Sequence, residues 1–494
     1  MQYVSTRNGK SSVQSAEAIA RGIAPDGGLY VPAAIPRLRP EQLKELAGLD
    51  YSGRAKEILK LYLTDFTEAE LDQIVRAAYV DRFDGNQPAP LYRLGNNNAY
   101  MLELWHGPTC AFKDMALQVL PHLMVKAAAK IGDTRTIVVL VATSGDTGKA
   151  ALEGFCDVNG TKILVFYPEK GVSEMQKRQM VTQSGDNVCV AAVRGNFDDA
   201  QTAVKNIFTD PELAKLLNEK GMVFSSANSI NWGRLVPQIV YYVSAYLDLL
   251  QSGVDLTNGF NIVVPTGNFG NILAAYYAKE MGLPVHKLIC ASNRNNVLTD
   301  FIDSGTYDRR RDFFATSSPS MDILISSNLE RLLYHISAGD DALVCDLMAG
   351  LKDEGHYTLP AVLQKVLGQS FFGGFCDETA TMATIRATFD RYHYLADTHT
   401  AVGLNVYEQY LGAGADNRPT VLASTANAYK FPGSVLAAFG RQEADEFAAL
   451  RALESLTEQA VPVGLSGLDC RELRFFDICD RDELDKAVLS FLNI

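Results

Sequence analysis

Three segments carry residue types and spacings suited to chemistry. Two are strand-to-helix junctions: Val139-Leu140-Val141-Ala142-Thr143-Ser144-Gly145-Asp146-Thr147-Gly148 and Val263-Val264-Pro265-Thr266-Gly267-Asn268-Phe269-Gly270-Asn271. Each puts glycines and small hydroxyl or amide side chains where a helix start exposes unpaired N–H groups and a positive dipole, which makes a ready anion site. One such loop would do no more than turn the chain; two in one chain favour binding. The third is Leu104-Trp105-His106-Gly107-Pro108-Thr109-Cys110-Ala111-Phe112-Lys113-Asp114. After its Gly-Pro turn, Phe112, Met115, Ala116, Val119, Leu120, Leu123 and Met124 recur at helical spacing, so Lys113 opens a helix with a bend expected near Pro121. An amine beside a helix's positive end and an apolar face sheds its proton more readily than an exposed one, as a lysine that bonds covalently to a carbonyl must. Most lysines are solvated charges, and the local pattern alone admits that reading too.

Elimination narrows the chemistry. A Walker loop needs GxxxxGK[ST], but Thr143 stands at the first-glycine position before Lys149 and Ala150 follows it. Neither loop carries GxGxxG, which disfavours dinucleotide binding, and Gly464-Leu465-Ser466-Gly467 has its second glycine one place early for a hydrolase elbow. The closest two of the eight cysteines, Cys470 and Cys479, are nine positions apart, and the seven histidines form no HExxH pair, so no metal site is expected.

The elements that would position these loops alternate. Strands are expected over 136–142, 162–167, 187–193, 222–226, 261–265 and 287–292, with helices between them, one spanning 147–155. Strict alternation implies parallel sheets covered by helices, an α/β architecture in which ligands gather at the carboxyl ends of strands. The first 95 residues differ in texture. The capping box Thr67-Glu68-Ala69-Glu70 precedes Leu71, Ile74, Val75 and Ala78 on one helical face, and Pro25-Asp26-Gly27-Gly28 marks a turn, so residues 1–95 are expected to form a helical accessory domain. With 494 residues, 47% apolar, the chain can bury a large core; 45 basic against 58 acidic side chains give a net charge of −13, which argues against a nucleic-acid surface. No apolar run reaches the roughly 18 residues of a membrane span, and the amino terminus lacks a signal-peptide core, so a cytoplasmic location is expected.

The run HGPTCAFKDMALQ resembles the pyridoxal-phosphate lysine segment of threonine synthases, which are fold-type-II enzymes of the tryptophan-synthase-β-like superfamily. Ser5-Thr6-Arg7 with Pro25 to Leu29, TSGDTG at 143–148, PTGNFGN at 265–271, SPSMDI at 318–323, DTHTAVG at 397–403 and STAN at 424–427 are similar to further segments of the longer bacterial and fungal branch. The likeness covers nearly the whole chain. It implies that Lys113 carries pyridoxal 5′-phosphate and that Gly267, Asn268, Phe269, Gly270 and Asn271 wrap its phosphate. It further implies that Thr425 faces the pyridine nitrogen with a hydroxyl. Phe112 would pack beside the ring, although a core role explains it equally well. Thr143, Ser144, Gly145, Asp146 and Thr147 would bind the substrate carboxylate or the cofactor's phenolic oxygen. Asn228 and Arg234 would receive the substrate phosphate, with a structural ion pair as the competing account of Arg234; Lys149 is a weaker phosphate ligand.

The implied architecture has a cofactor domain made of 96–114 and 224–494, and a smaller mobile domain over 115–223 that closes over substrate. The implied reaction converts O-phospho-L-homoserine and water to L-threonine and phosphate, a carbon–oxygen lyase chemistry, in a monomer or homodimer. Two alternatives stay open: a phospholyase releasing 2-oxobutyrate, ammonia and phosphate, and a noncatalytic binding protein on the same fold.

Overall fold

The computed structural model describes residues 1–414 and 417–494. Two sheets organise the chain. The larger runs Phe371–Phe375, Val285–Ser292, Phe260–Pro265, Thr420–Ser424, Ala99–Glu103 and Leu91–Arg93, all parallel except the last pair. The smaller runs Ile478–Asp480, Val188–Arg194, Thr161–Pro168, Thr136–Ala142 and Met222–Ser225, parallel throughout.

Side chains alternate across a strand, so a continuously apolar strand must be covered on both faces. In Thr136–Ala142, Ile137, Val139 and Val141 join the principal core, while Val138 and Leu140 meet Ala200, Val204, Leu484 and Val488 on the other side. Phe260–Pro265 divides likewise, Ile262 and Val264 facing the principal core and Val263 a second one with Ile289 and Val402. This double covering makes both sheets α/β layers, as the alternation implies, and points their carboxyl-end loops toward the helix starts that follow.

The amino-terminal region is helical, as expected, and adds a small sheet that the sequence did not announce. Gln2–Ser5 lies between Asn8–Gln14 and Tyr30–Pro32 in a three-stranded antiparallel sheet, and the expected helix follows at Glu68–Tyr79. The Thr67 hydroxyl accepts from the Glu70 N–H (3.2 Å) while the Glu70 carboxylate accepts from the Thr67 N–H (2.7 Å). Tyr3 and Tyr62 pack on Trp232 of the long helix Trp232–Gln251, so this region shares the principal core. Two further differences concern helices and termini. The helix expected to bend at Pro121 is two helices, Asp114–Leu117 and Leu120–Lys130, because Pro121 needs no N–H at a helix start and opens the second. Residues 224–494 are expected in the larger unit throughout, yet Ile478–Asp480 pairs with Ala192–Arg194 at the edge of the smaller sheet. No helix among the described residues is long and apolar enough to cross a membrane.

Helix Asp114–Leu117 meets helix Asp146–Phe155 at Gly154, where a Cβ would stand 2.0 Å from the Leu117 carbonyl oxygen. Only a bare Cα lets the two backbones approach this closely. Gly154→Ala is expected to cost about 1–3 kcal/mol, as overpacked cores do, seen as a lower urea midpoint with unchanged slope; wild-type stability would contradict this contact.

Candidate functional site

Lys113 is set by its loop. The buried Asp114 carboxylate accepts from the Thr109 N–H (2.8 Å) and hydroxyl (2.6 Å), and Gly107 lies so close that a Cβ there would meet Asp114 Oδ2 at 2.6 Å. Burial pushes the Asp114 carboxyl up to about 6 against the pull of the two Thr109 bonds. The Phe112 N–H donates to the Thr425 carbonyl (2.8 Å) and the Asn427 N–H to the Cys110 carbonyl (3.1 Å). Thus the loop after strand Thr420–Ser424 is stitched to the lysine loop, and Thr425 arrives beside Lys113.

The Lys113 ammonium is buried, 4.8 Å from the centre of the Phe112 ring, and donates to Ser320 Oγ (3.0 Å) and Asp146 Oδ2 (3.3 Å). Asp146 begins helix Asp146–Phe155, its other oxygen accepting from Gln176 Nε2 (2.8 Å) and pairing with Lys430 Nζ (3.2 Å). Burial alone would raise this carboxyl, but the Lys430 and Lys113 charges overcome it and hold Asp146 far below the usual carboxylate range. The Lys113 pKa is lowered as well, here with burial as the main cause: Asp146 resists, and the Lys430 and Arg234 charges lower it further. Such an amine is primed to act as nucleophile or base.

Ser320 also touches the second glycine loop. A Cβ on Gly267 would lie 2.6 Å from the Ser320 carbonyl oxygen, so glycine there admits the 318–322 segment. The loop is tied from outside through its carbonyls: Ser326 Oγ donates to Gly267 O (2.7 Å), and the Asn328 N–H and Nδ2 to Asn268 O (3.1 and 3.0 Å). Phe269 adopts left-handed φ of 62° to turn into helix Gly270–Glu280. Among the described residues nothing accepts from the Asn268, Phe269 or Gly270 N–H groups. Asn271 is gripped by the Tyr241 and Tyr242 hydroxyls at Oδ1, and its buried Nδ2 has no partner among the described residues. That is a donor-rich pocket wall suited to a phosphate.

Arg234 is buried near the start of Trp232–Gln251. One Nη donates to the Ala227 carbonyl (2.8 Å), its Nε is unsatisfied, and no carboxylate pairs with it among the described residues. Burial alone lowers its pKa to about 10. A buried guanidinium without a counter-ion suits an incoming anion. Asn228 is exposed, its Oδ1 accepting from the Ile230 N–H (3.2 Å).

The remaining residues divide. Thr143 Oγ1 accepts from the Gly145 and Gly148 N–H groups (3.0 and 2.9 Å), bracing its loop. Gly145 has φ of 145° and would drive a Cβ into Gln176; Ser144 is exposed and Thr147 half-buried. The Lys149 ammonium is taken by Glu153 (2.9 Å) and Gln183, away from the Lys113 cluster.

Sequence reasoning assigned no role to Ser320, His399, Gln176 or Lys430. The Ser320 N–H donates to His399 Nε2 (3.2 Å), so the ring's proton lies on Nδ1, 2.7 Å from Asp397 Oδ2. Lys430, alone in the apolar run Ala428-Tyr429-Lys430-Phe431-Pro432, carried a signal of burial.

Residues 83–361 match the family described as pyridoxal-phosphate dependent enzyme, and the fold is that of its type-II members. Residues 2–79 match "Threonine synthase N terminus" and 400–487 "Threonine synthase, C-terminal". The threonine synthase of Pseudomonas aeruginosa is 38% identical over 88% of this chain and 90% of its own. The chain belongs to the threonine synthase family. Human threonine synthase-like 1 is 42% identical over 87% of this chain, which spans 58% of that protein's length. Among solved structures, the PLP-bound threonine synthase of Brucella melitensis superposes with TM-score 0.88 at 37% identity, covering 99% of both chains. The yeast threonine synthase does so at 0.89 and 32%, covering 100% of this chain and 99% of its own.

Cys110, three residues before Lys113, is buried, and burial pushes its thiol up to about 12. It is expected to resist iodoacetamide at pH about 8 while the exposed Cys470 is alkylated, as peptide mass spectrometry would read. Rapid alkylation of Cys110 in the folded protein would contradict the packing of the lysine loop.

Proposed function

We propose that this protein is a threonine synthase, converting O-phospho-L-homoserine and water to L-threonine and phosphate. The observation that carries the reading is Ser320, which touches the Lys113 amine with its side chain and packs its carbonyl against Gly267 of the donor-rich loop. An amine and a phosphate cradle sharing one wall fit a phosphorylated aldehyde held at both ends. Unpartnered Asn271 Nδ2 and the free loop N–H groups fit its phosphate.

Pyridoxal 5′-phosphate, when bound, supplies the electron sink that accepts the charge left where carbon loses a proton. The chain's own groups do the rest. Lys113 binds the cofactor, then takes and returns the proton at the substrate Cα, and it is suited to a second removal, at Cβ, as phosphate leaves. Ser320 and Asp146 aim its amine. The Asn268 to Asn271 backbone would hold the cofactor phosphate, and Thr425 would offer the pyridine nitrogen a neutral hydroxyl, which does not fix a proton there. Arg234, with Asn228, grips the substrate phosphate, and the 143–147 loop receives its carboxylate. The free cysteines suit a reducing, cytoplasmic compartment.

A second reading, the phospholyase, draws on the 42% identity to proteins named threonine synthase-like 1. Supplying phosphohomoserine and following carbon by NMR separates the two: threonine with phosphate is expected, and 2-oxobutyrate with ammonia would replace it. Lys113→Ala should abolish turnover; retained activity would end the assignment. Arg234→Ala should raise KM about 10- to 100-fold, the worth of a charged hydrogen bond, and an unchanged KM would remove Arg234 from the substrate site.

A further inference from the structure

A buried ammonium needs three acceptors, and Lys430, fully buried, has them: the Thr109 carbonyl (2.7 Å), Asp146 Oδ1 (3.2 Å) and Gln179 Oε1 (3.3 Å). Lys113 has two, Asp146 Oδ2 and Ser320 Oγ. Two cations therefore share one carboxylate from opposite oxygens, and a single negative charge does not neutralise both. When one proton must leave, the less completely solvated ammonium gives it up. That is Lys113.

We propose that Lys430 is a positioning residue that keeps Lys113 available as a neutral amine, by placing a second buried cation on the far oxygen of Asp146 and so denying Lys113 an undivided counter-ion. This rests on Lys113 being the cofactor lysine. Lys430 reaches across units to do so. It follows strand Thr420–Ser424 of the larger sheet, while Asp146 begins a helix of the smaller one and Gln179 lies on helix Glu174–Val181. When the Lys113 nitrogen is engaged covalently, Asp146 keeps Lys430 as its partner and its buried charge is never orphaned.

The charged groups around the pair are few. Lys113 faces Asp146, Lys430 and Arg234; Asp146 also feels His399, whose Nδ1 is turned to Asp397. The field of Lys430 extends to Asp114 and Cys110. Removing the Lys430 charge withdraws a repulsion from Lys113 and leaves it sole claim to Asp146. Both effects raise the affinity of Lys113 for its proton.

The test measures how fast cofactor-stripped protein regains the visible absorbance of lysine-bound pyridoxal phosphate as a function of pH. Lys430→Met and Lys430→Gln should move the rate midpoint up by about one unit, slowing capture about tenfold below it. Lys430→Arg should stay near wild type, and Asp146→Asn should move the midpoint down. A folded neutral variant with the wild-type midpoint overturns the proposal. If neither neutral variant folds, Gln179→Leu decides, because it takes an acceptor from the Lys430 ammonium and none from Lys113: a midpoint that rises supports the proposal, and one that stays at the wild-type value overturns it. Borohydride trapping and peptide mapping on the wild-type protein keep the two readings apart. An adduct away from Lys113 would sink the cofactor assignment; an adduct on Lys113 with unshifted midpoints would sink only the role of Lys430.

Discussion

The site is organised around one buried carboxylate. Asp146 begins a helix of the smaller sheet, yet its two cationic partners, Lys113 and Lys430, belong to segments anchored on the larger one. A carboxylate removed from water is tolerable only when its charge is met and its lone pairs are filled, and this one is met on both oxygens, with Gln176 and Ser320 completing the shell. The same atoms that make the charge affordable fix the distance between the two sheets at the point where the lysine amine stands. Relative placement of the two units and the protonation of the amine are one electrostatic problem with one solution.

Much of this was readable from the chain, for identifiable reasons. Strands buried on both faces write themselves as continuous apolar runs, so Thr136–Ala142 is found residue for residue and Phe260–Pro265 within one. Glycine loops at helix starts are equally plain, because the turn and the close approach of Gly267 to Ser320 tolerate little else. Ala99–Glu103, Thr420–Ser424 and Phe371–Phe375 escaped, being five residues each, too short for a period to declare itself, and the last carries two glycines. The antiparallel strand Asn8–Gln14 is polar and largely exposed, so nothing in its hydropathy announces a strand.

The site was legible where chemistry is local and obscure where it is assembled. Lys113 and Asn271 sit in motifs whose meaning lies in adjacent residues. Lys430 reaches Thr109 across 321 residues and Asp146 from another sheet, a relation no spacing encodes. Lys149 illustrates the converse: its place in a glycine-rich helix start suggests an anion ligand, but Glu153 one turn later claims the ammonium.

The strand Ile478–Asp480 closes the smaller sheet against Val188–Arg194, and Arg194 meets Asp480 across 286 residues of sequence. During synthesis, the other four strands of that sheet leave the ribosome long before their fifth. Until the last stretch of chain emerges, the Val188–Arg194 edge offers unpaired backbone groups to any passing strand. Nascent chains stalled between these two points are thus the species in which a chaperone has most to shield.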